Sequence, residues 1–352
     1  MLRAVREFGR LPRFTAAHAL TLDNSTHAGR NGVTRLENTR LFGYGIISGR
    51  RFNGRRCNLN DSPGGLELQK MVGSEVMGLT VVDTPNHGVN LLGLGSASDP
   101  AQYNSLSWLK VLNWRGNGDG VHVFQYWNAI HDIFLRTQDD SMYLAGSMRA
   151  GSWRRVITWN DTNGVPFIFS AAGSHGTALI EDSDVLYHRK QLPQWCGGIF
   201  DLRDANSTVR NVTIRNIRIH DPYPTCPLLD LTGAMSDVSW ENVHMAAQST
   251  FRDMNSLGTV NCNTPRGRFF LPSSEVPGCV LPFGIPQRIV GAVDNTENAY
   301  SLDDSVQLNG LSFNDVTVNG TSIGTMFTDP AYQGAAVVQG AVSVSFDGVP
   351  YA

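Results

Sequence analysis

Short alternating triplets recur along most of this sequence and constrain its fold more than any other feature. Each triplet has hydrophobic residues at both ends, and Asn or Asp often precedes it, as at residues 133–135, 217–219 and 316–318. Successive triplets start 23 to 32 residues apart, except for one gap of 73 residues before the last. Such alternation, rich in β-branched residues, predicts a short strand. The spacing predicts one coil of a solenoid per repeat.

A right-handed parallel β-helix, an all-β solenoid, is the architecture that fits this repeat best. A propeller blade would take about 40 residues and four strands. A (β/α)₈ barrel would need a helix between successive strands, and no run of helical period separates the triplets. A β-sandwich stays open as the alternative.

The repeat also suggests how the chain is divided. Residues 41–352 are predicted to form the β-helix and to carry catalysis. Residues 1–40 lack the repeat and are predicted to form a cap or the remnant of another domain, because a solenoid needs covered ends. Residues 250–304 are rich in proline and are expected to form a long excursion from the coil.

Composition and charge exclude several partners. The formal net charge is −3, so the chain has no basic field for nucleic acid. No apolar run approaches the ~18 residues that a membrane span requires. We expect neither a nucleic-acid nor a membrane partner, and we expect a monomer.

Cysteines and sequons favour a secreted origin. The five cysteines lack CxxC spacing. Six N-x-S/T sequons occur, at Asn24, Asn60, Asn160, Asn206, Asn211 and Asn319. Both features are typical of extracellular glycoproteins. We expect an extracellular location, although the first residues show no apolar stretch of a signal peptide.

Three aspartates are predicted to meet on neighbouring coils. Asp119 lies in an Asn-Gly-Asp-Gly turn, and Asp139 and Asp140 follow 20 and 21 residues later, close to the local repeat of 24. Neighbouring coils lie about 4.8 Å apart, so the carboxylates would share one patch. Carboxylates crowded in this way provide a proton donor and a base at the same pH. Inverting hydrolysis of a glycosidic bond needs that pair, about 6.5–9.5 Å apart.

Either motif alone is ordinarily a tight turn or a solvated loop, and three carboxylates can also bind Ca²⁺. The separation of one coil favours catalysis. We expect no metal and no organic cofactor, since no His-x-x-x-His pair suggests zinc.

Polar and aromatic residues near the acids are the predicted substrate-binding residues. Five of the seven tryptophans lie within residues 108–159. Sugar C–H faces stack on such rings, although about half of these aromatics are expected to be structural. The predicted binding residues are Asn117, Gln138, Tyr126, Trp127, Tyr143, Trp153 and Trp159.

At these residues the sequence resembles glycoside hydrolase family 49, the dextranase and isopullulanase family, within the polygalacturonase-like β-helix superfamily. The resemblance covers roughly residues 36–245. It rests on the stretches at 44–50, 117–120, 131–134, 139–140, 157–160 and 184–189.

The resemblance implies an inverting hydrolase that cleaves α-linked glucans, notably the α-1,6 bonds of dextran. Asp139 would be the general acid, and Asp119 and Asp140 would hold and activate the water. Family members carry a β-sandwich domain before the β-helix, and this chain is expected to hold no complete one.

Two further classes remain open. A polygalacturonase-like hydrolase or a lyase would act on a uronate polymer and would need cationic side chains near the acids. Ser174-His175-Gly176 and His188-Arg189-Lys190 match the polygalacturonase pattern only in part, and Arg154 and Arg155 are the candidate cations. The other class is a noncatalytic β-helix that binds carbohydrate, or an inactive fragment.

Overall fold

A computed structural model of the 352-residue chain provides the structure. It describes residues 3–5, 20–22, 36–48, 65–69, 71–84, 87–92, 103–113, 118–123, 129–144, 149–161, 164–169, 174–188, 198–202, 208–222, 228–231, 234–246, 289–291, 308–318, 320–328, 336–338 and 344–351. Almost all regular structure in these residues is β, with one short helix, α1 (Ile323–Thr328).

The strands in the N-terminal half are β1 (Arg3–Val5), β2 (Leu20–Leu22), β3 (Leu36–Glu37), β4 (Arg40–Phe42), β5 (Ile46–Ser48), β6 (Leu66–Gln69), β7 (Met71–Val72), β8 (Glu75–Met77), β9 (Thr80–Val82), β10 (Val89–Leu92), β11 (Ser105–Ser107), β12 (Lys110–Asn113), β13 (Val121–Val123), β14 (Ala129–Thr137), β15 (Met142–Leu144), β16 (Arg149–Asn160) and β17 (Phe167–Phe169). Those that follow are β18 (Ser174–His188), β19 (Phe200–Leu202), β20 (Thr208–Ile219), β21 (Leu229–Leu231), β22 (Ala234–Met245), β23 (Ile289–Gly291), β24 (Leu308–Val318), β25 (Thr321–Ser322), β26 (Ala336–Val338), β27 (Val344–Phe346) and β28 (Val349–Tyr351).

Successive coils of the chain contribute strands to two long sheets. The first sheet runs β4, β8, β11, β14, β16, β18, β20, β22, β24 and β27, and the second runs β2, β6, β10, β13, β15, β17, β19, β21, β23 and β26. Among the described strands all pairs are parallel except β1–β4, β24–β25 and β27–β28. This confirms the predicted right-handed parallel β-helix. A β-sandwich, which is built from antiparallel sheets, is excluded.

A single residue with a left-handed backbone turns the chain within the first sheet. In successive coils this corner is held by Asp132, Arg155, Asp182, Asn216 and Asn242, all with φ between 53° and 57°. Asn and Asp tolerate this region better than other residues with a Cβ, which explains why they often precede the triplets. The Asn216 amide donates to Asp182 Oδ1 (2.9 Å), and the Asn242 amide donates to Asn216 Oδ1 (2.9 Å).

The core consists of ladders in which one position repeats from coil to coil. Trp153, Ile180, Ile214 and Trp240 follow one another in register across the first sheet, and all four are buried. The ring of Trp240 stacks on that of Phe313, with centroids 4.7 Å apart. Burying each such side chain stabilises the fold by about 1.5–3 kcal/mol, so the ladder holds the coils together.

Every predicted strand triplet overlaps a strand of the first sheet. Strand β2 already belongs to the second sheet, where it pairs with β6, and β1 covers the edge of β4. The division at residue 40 stays a prediction. Of residues 250–304 only β23 is described, as a strand of the second sheet. The rest of that span and all five cysteines lie outside the described residues.

No helix in the described part of the chain is long and apolar enough to span a membrane.

An ion pair at the corner predicts how stability depends on pH. Arg155 donates from Nε to Asp132 Oδ1 (2.7 Å) and from Nη2 to Oδ2 (2.9 Å). These bonds, with a smaller contribution from His131, lower the pKa of Asp132 from 3.8 to about 2, against the opposing effect of burial. Because the folded-state pKa is depressed, this stabilisation is full above about pH 4 and is lost as the pH falls toward 2.

We therefore expect Asp132→Asn to lower the free energy of unfolding at pH 5 by at most about 1 kcal/mol, since the pair is near the surface. The two proteins should become equally stable near pH 2. Urea unfolding between pH 5 and 2 measures both curves. Arg155→Gln should flatten the same part of the curve. Curves that stay parallel over this range would rule out the assignment.

Candidate active site

The two aspartate motifs lie side by side on neighbouring coils. Strands β13 and β15 pair in the register Val121↔Met142. Just before them, the Gly120 amide donates to the Asp140 carbonyl (2.8 Å). This register places Asp119 and Asp140 level with each other, each two residues before a strand of the second sheet.

The three carboxylates differ in their access to solvent. Asp119 and Asp140 are 5% and 4% exposed, whereas Asp139 is half-buried. Asp140 Oδ1 accepts a hydrogen bond from the Val165 amide on the next coil (2.8 Å), and Asp139 Oδ1 accepts one from the Asp140 amide (3.1 Å). Asp140 is thereby fixed in orientation. Asp139 is the member of the trio that a solvent-borne molecule reaches most readily.

A buried polar network fixes the backbone of the aspartate pair. The carbonyl of Asp139 accepts hydrogen bonds from the Thr137 hydroxyl (2.7 Å) and from the Asn160 amide (2.8 Å). The Ser141 hydroxyl donates to Asn160 Oδ1 (3.1 Å). Thr137, Ser141 and Asn160 have no exposed surface. A network satisfied in this way is rigid, so the pair is held as part of the core.

Gly164 lies against the same turn from the next coil. A Cβ built on it would lie 1.8 Å from the Asp139 carbonyl carbon and 2.0 Å from the Asp140 nitrogen. Only a residue without a side chain permits this approach. The close contact brings the Val165 amide to the Asp140 carboxylate.

Two histidines adjoin Asp119. His122 Nε2 contacts Asp119 Oδ2, and His87 Nε2 lies 3.9 Å from the same oxygen. The His122 ring is sandwiched between His87, at a centroid distance of 3.6 Å, and Tyr143, at 4.3 Å. Burial, and secondly the neighbouring His87, lower the pKa of His122 well below its ordinary value. His122 is therefore neutral near pH 7.

The predicted binding residues fall into three groups. Tyr143 lies beside the acids, and Gln138 is buried at 5% exposure directly before the pair. Trp159 is half-buried on the outer face of the first sheet, where it stacks on Tyr187 (4.9 Å). Asn117, Tyr126 and Trp127 lie outside the described residues.

Trp153 requires a correction. Its side chain is 1% exposed and belongs to the core ladder described above. A ring enclosed in the core cannot stack on a sugar, so we remove Trp153 from the predicted substrate-binding residues.

Sequence reasoning missed four residues that build the site: His87, His122, Asn160 and Gly164. Asn160 had a signal, because it lies two residues after its strand triplet, as Thr137 does one coil earlier, just before the aspartate pair. His87 and His122 had none, since they are 35 residues apart and meet only when two coils stack.

Comparisons with known proteins find only distant structural similarity. No family model matches this chain, and no curated protein sequence matches it. Among solved structures, it is similar to Dex49A from Penicillium minioluteum, with 14% identity and a TM-score of 0.45 over 86% of this chain and 50% of that one. It is also similar to the catalytic domain of a GH87 alpha-1,3-glucanase in complex with nigerose, with 12% identity and a TM-score of 0.28 over 87% and 57% of the two chains. The chain thus spans about half the length of each.

Proposed function

We propose that this chain is an inverting glycoside hydrolase that cleaves a neutral α-glucan, most specifically the α-1,6 bonds of dextran. One observation carries the proposal: an accessible carboxyl group, Asp139, lies next to two buried ones, Asp119 and Asp140, on adjoining coils. The α-glucan assignment rests on the sequence resemblance to glycoside hydrolase family 49.

In the proposed reaction Asp139 donates its proton to the glycosidic oxygen as the bond to the anomeric carbon breaks. Asp119 and Asp140 hold a water on the opposite face of the sugar ring, and one of them takes its proton as the water attacks. The bond that forms joins the water oxygen to the anomeric carbon, and its configuration inverts. The fixed orientation of Asp140 favours this role, because a preorganised carboxylate needs no rearrangement as the water attacks.

The pairing of the candidate cations supports a neutral substrate over a uronate polymer. A uronate would need free cations, but Arg154 is paired with Glu181 (2.8 Å) and Arg155 with Asp132 (2.7 Å). Arg136, which lies over the Trp159 ring, is paired with Asp161 (2.9 Å). These three arginines are therefore neutralised by acids of their own, and the candidate site itself is acidic.

We further propose that the protein acts as an extracellular monomer on its polysaccharide, without a nucleic-acid or membrane partner. Its net charge of −3 is consistent with the absence of a nucleic-acid partner.

Product analysis tests the proposed function. The purified chain is incubated separately with dextran, pullulan and polygalacturonate, and the products are separated by chromatography. Oligosaccharides from dextran support the proposal, and oligosaccharides from pullulan alone move the specificity to another α-glucan. Products from polygalacturonate alone would contradict it, and their ultraviolet absorbance would distinguish a lyase from a hydrolase. Binding of dextran without any product would instead make the chain a noncatalytic carbohydrate-binding protein.

A further inference from the structure

Two imidazoles and one carboxylate lie close together beside the candidate active site. The ligand atoms are one nitrogen each of His87 and His122 and a carboxylate oxygen of Asp119, and all lie within 4.8 Å of one another. Asp119 Oδ2 is common to both contacts, with His122 Nε2 and, at 3.9 Å, with His87 Nε2.

The fold assembles this group from two coils. Strands β10 and β13 pair in the register Val89↔Val121, and the Gly88 amide donates to the Asp119 carbonyl (2.9 Å). His87 and Asp119 therefore occupy equivalent positions, each two residues before its strand. His122 follows on β13, in register with Asn90 on β10. The strands of the second sheet therefore fix the backbone positions of all three residues.

The protonation pattern around His87 suits a metal ligand. Its Nδ1 lies 3.1 Å from Asn90 Oδ1, an oxygen that can only accept, so Nδ1 carries the hydrogen. The Nε2 lone pair then faces the Asp119 carboxylate. Metal-bound histidines usually have this kind of partner on their other nitrogen, which fixes the tautomer.

The distances come close to those of a zinc site. Zn²⁺ lies about 2.0–2.2 Å from nitrogen and oxygen ligands, so two ligand atoms of a tetrahedral site are about 3.4 Å apart. The 3.9 Å between His87 Nε2 and Asp119 Oδ2 is longer than this by about half an ångström, so a small shift of the His87 ring closes the site. The stacked rings of His87 and His122 need to fan apart to share an ion. His87 is the more exposed of the two, at 22% against 5%, and can rotate.

We propose that His87, Asp119 and His122 bind a divalent transition-metal ion such as Zn²⁺, and that the bound ion inhibits the enzyme. The second part rests on the proposed function, because it takes Asp119 to be one of the two carboxylates that hold the water. A carboxylate that coordinates a metal is no longer a base for that water. Two histidines and one carboxylate are a ligand set found in zinc sites.

Isothermal titration of ZnCl₂ into the full chain, first stripped of metal with EDTA, tests the site without any need for activity. We expect one Zn²⁺ site whose affinity falls at least about tenfold in His87→Gln and in His122→Gln. His220→Gln, which changes an exposed histidine beside Asp184, is the matched control and should bind as the wild type does. Unchanged affinity in His87→Gln, confirmed as folded by circular dichroism, would overturn the site even if His122→Gln fails to fold.

Inhibition is measured as the zinc concentration that halves the rate of dextran hydrolysis. We expect this concentration to match the dissociation constant from calorimetry, EDTA to restore activity, and His87→Gln to need at least about ten times more zinc. Binding without inhibition would overturn the inhibitory part and leave the site. A chain that binds zinc as expected but hydrolyses no glycan would instead contradict the proposed function.

Discussion

Asp139→Asn is expected to lower kcat on dextran by a factor of about 10²–10⁴, the range that a general acid contributes. An amide cannot give a proton to the glycosidic oxygen, whereas its oxygen can still accept the Asp140 amide as the carboxylate does at 3.1 Å. The fold should therefore be unchanged in the far-ultraviolet circular dichroism spectrum. Initial rates of reducing-end release at saturating dextran measure the effect.

The matched control for this experiment is Asp182→Asn. Asp182 is an exposed acid at the corner of the first sheet, where Asn also fits the left-handed backbone. Its activity should stay close to that of the wild type. A folded Asp139→Asn protein that keeps more than about a tenth of the wild-type kcat would mean that another group supplies the proton.

Gly164→Ala is the second substitution with a large expected effect. The added methyl group would lie 1.8 Å from the Asp139 carbonyl carbon and 2.1 Å from its oxygen, so one of the two coils must move. Overpacking of this kind costs about 1–3 kcal/mol or more. A displacement of about 1 Å at catalytic groups can lower the rate about 10²-fold. We expect both a lower urea midpoint and a loss of kcat of that order.

Gly320→Ala is the control that distinguishes the steric clash at Gly164 from the general cost of replacing a glycine. Nothing lies within 4 Å of a Cβ at Gly320, although its φ of 74° disfavours alanine. We expect this variant to lose only about 1–2 kcal/mol of stability, which is the cost of the left-handed backbone. It should keep the activity of the wild type. If Gly164→Ala were as stable and active as the wild type, the close contact between the coils would be wrong.

The strands of the first sheet could be predicted from the sequence, whereas those of the second sheet could not. The first sheet was predictable because its strands alternate between core and solvent, as in β12 and β14. In β13, β17 and β19 all three residues are buried, so burial does not alternate along these strands. Each is only three residues long, and so short a segment cannot be distinguished from a turn by its sequence pattern.

The error at Trp153 has a physical cause in the same sheet. Val156 and Thr158 point inward, so simple alternation would have Trp153 point outward. The left-handed corner at Arg155 interrupts the alternation, and Trp153 turns into the core instead. The aspartate trio was predictable because its spacing equals one coil. The contact between His87 and Asp119 was not predictable, because the sequence does not show which residues of two neighbouring coils lie side by side.

Proton nuclear magnetic resonance of the first product tests the central claim most directly. Dextran is α-linked, so water that attacks from the face opposite the Asp139 carboxyl gives a new reducing end in the β configuration before mutarotation. We predict that the β-anomer signal appears first and that the α-anomer signal follows at the rate of mutarotation. An α-anomer formed first would contradict inversion by the Asp119, Asp139 and Asp140 site.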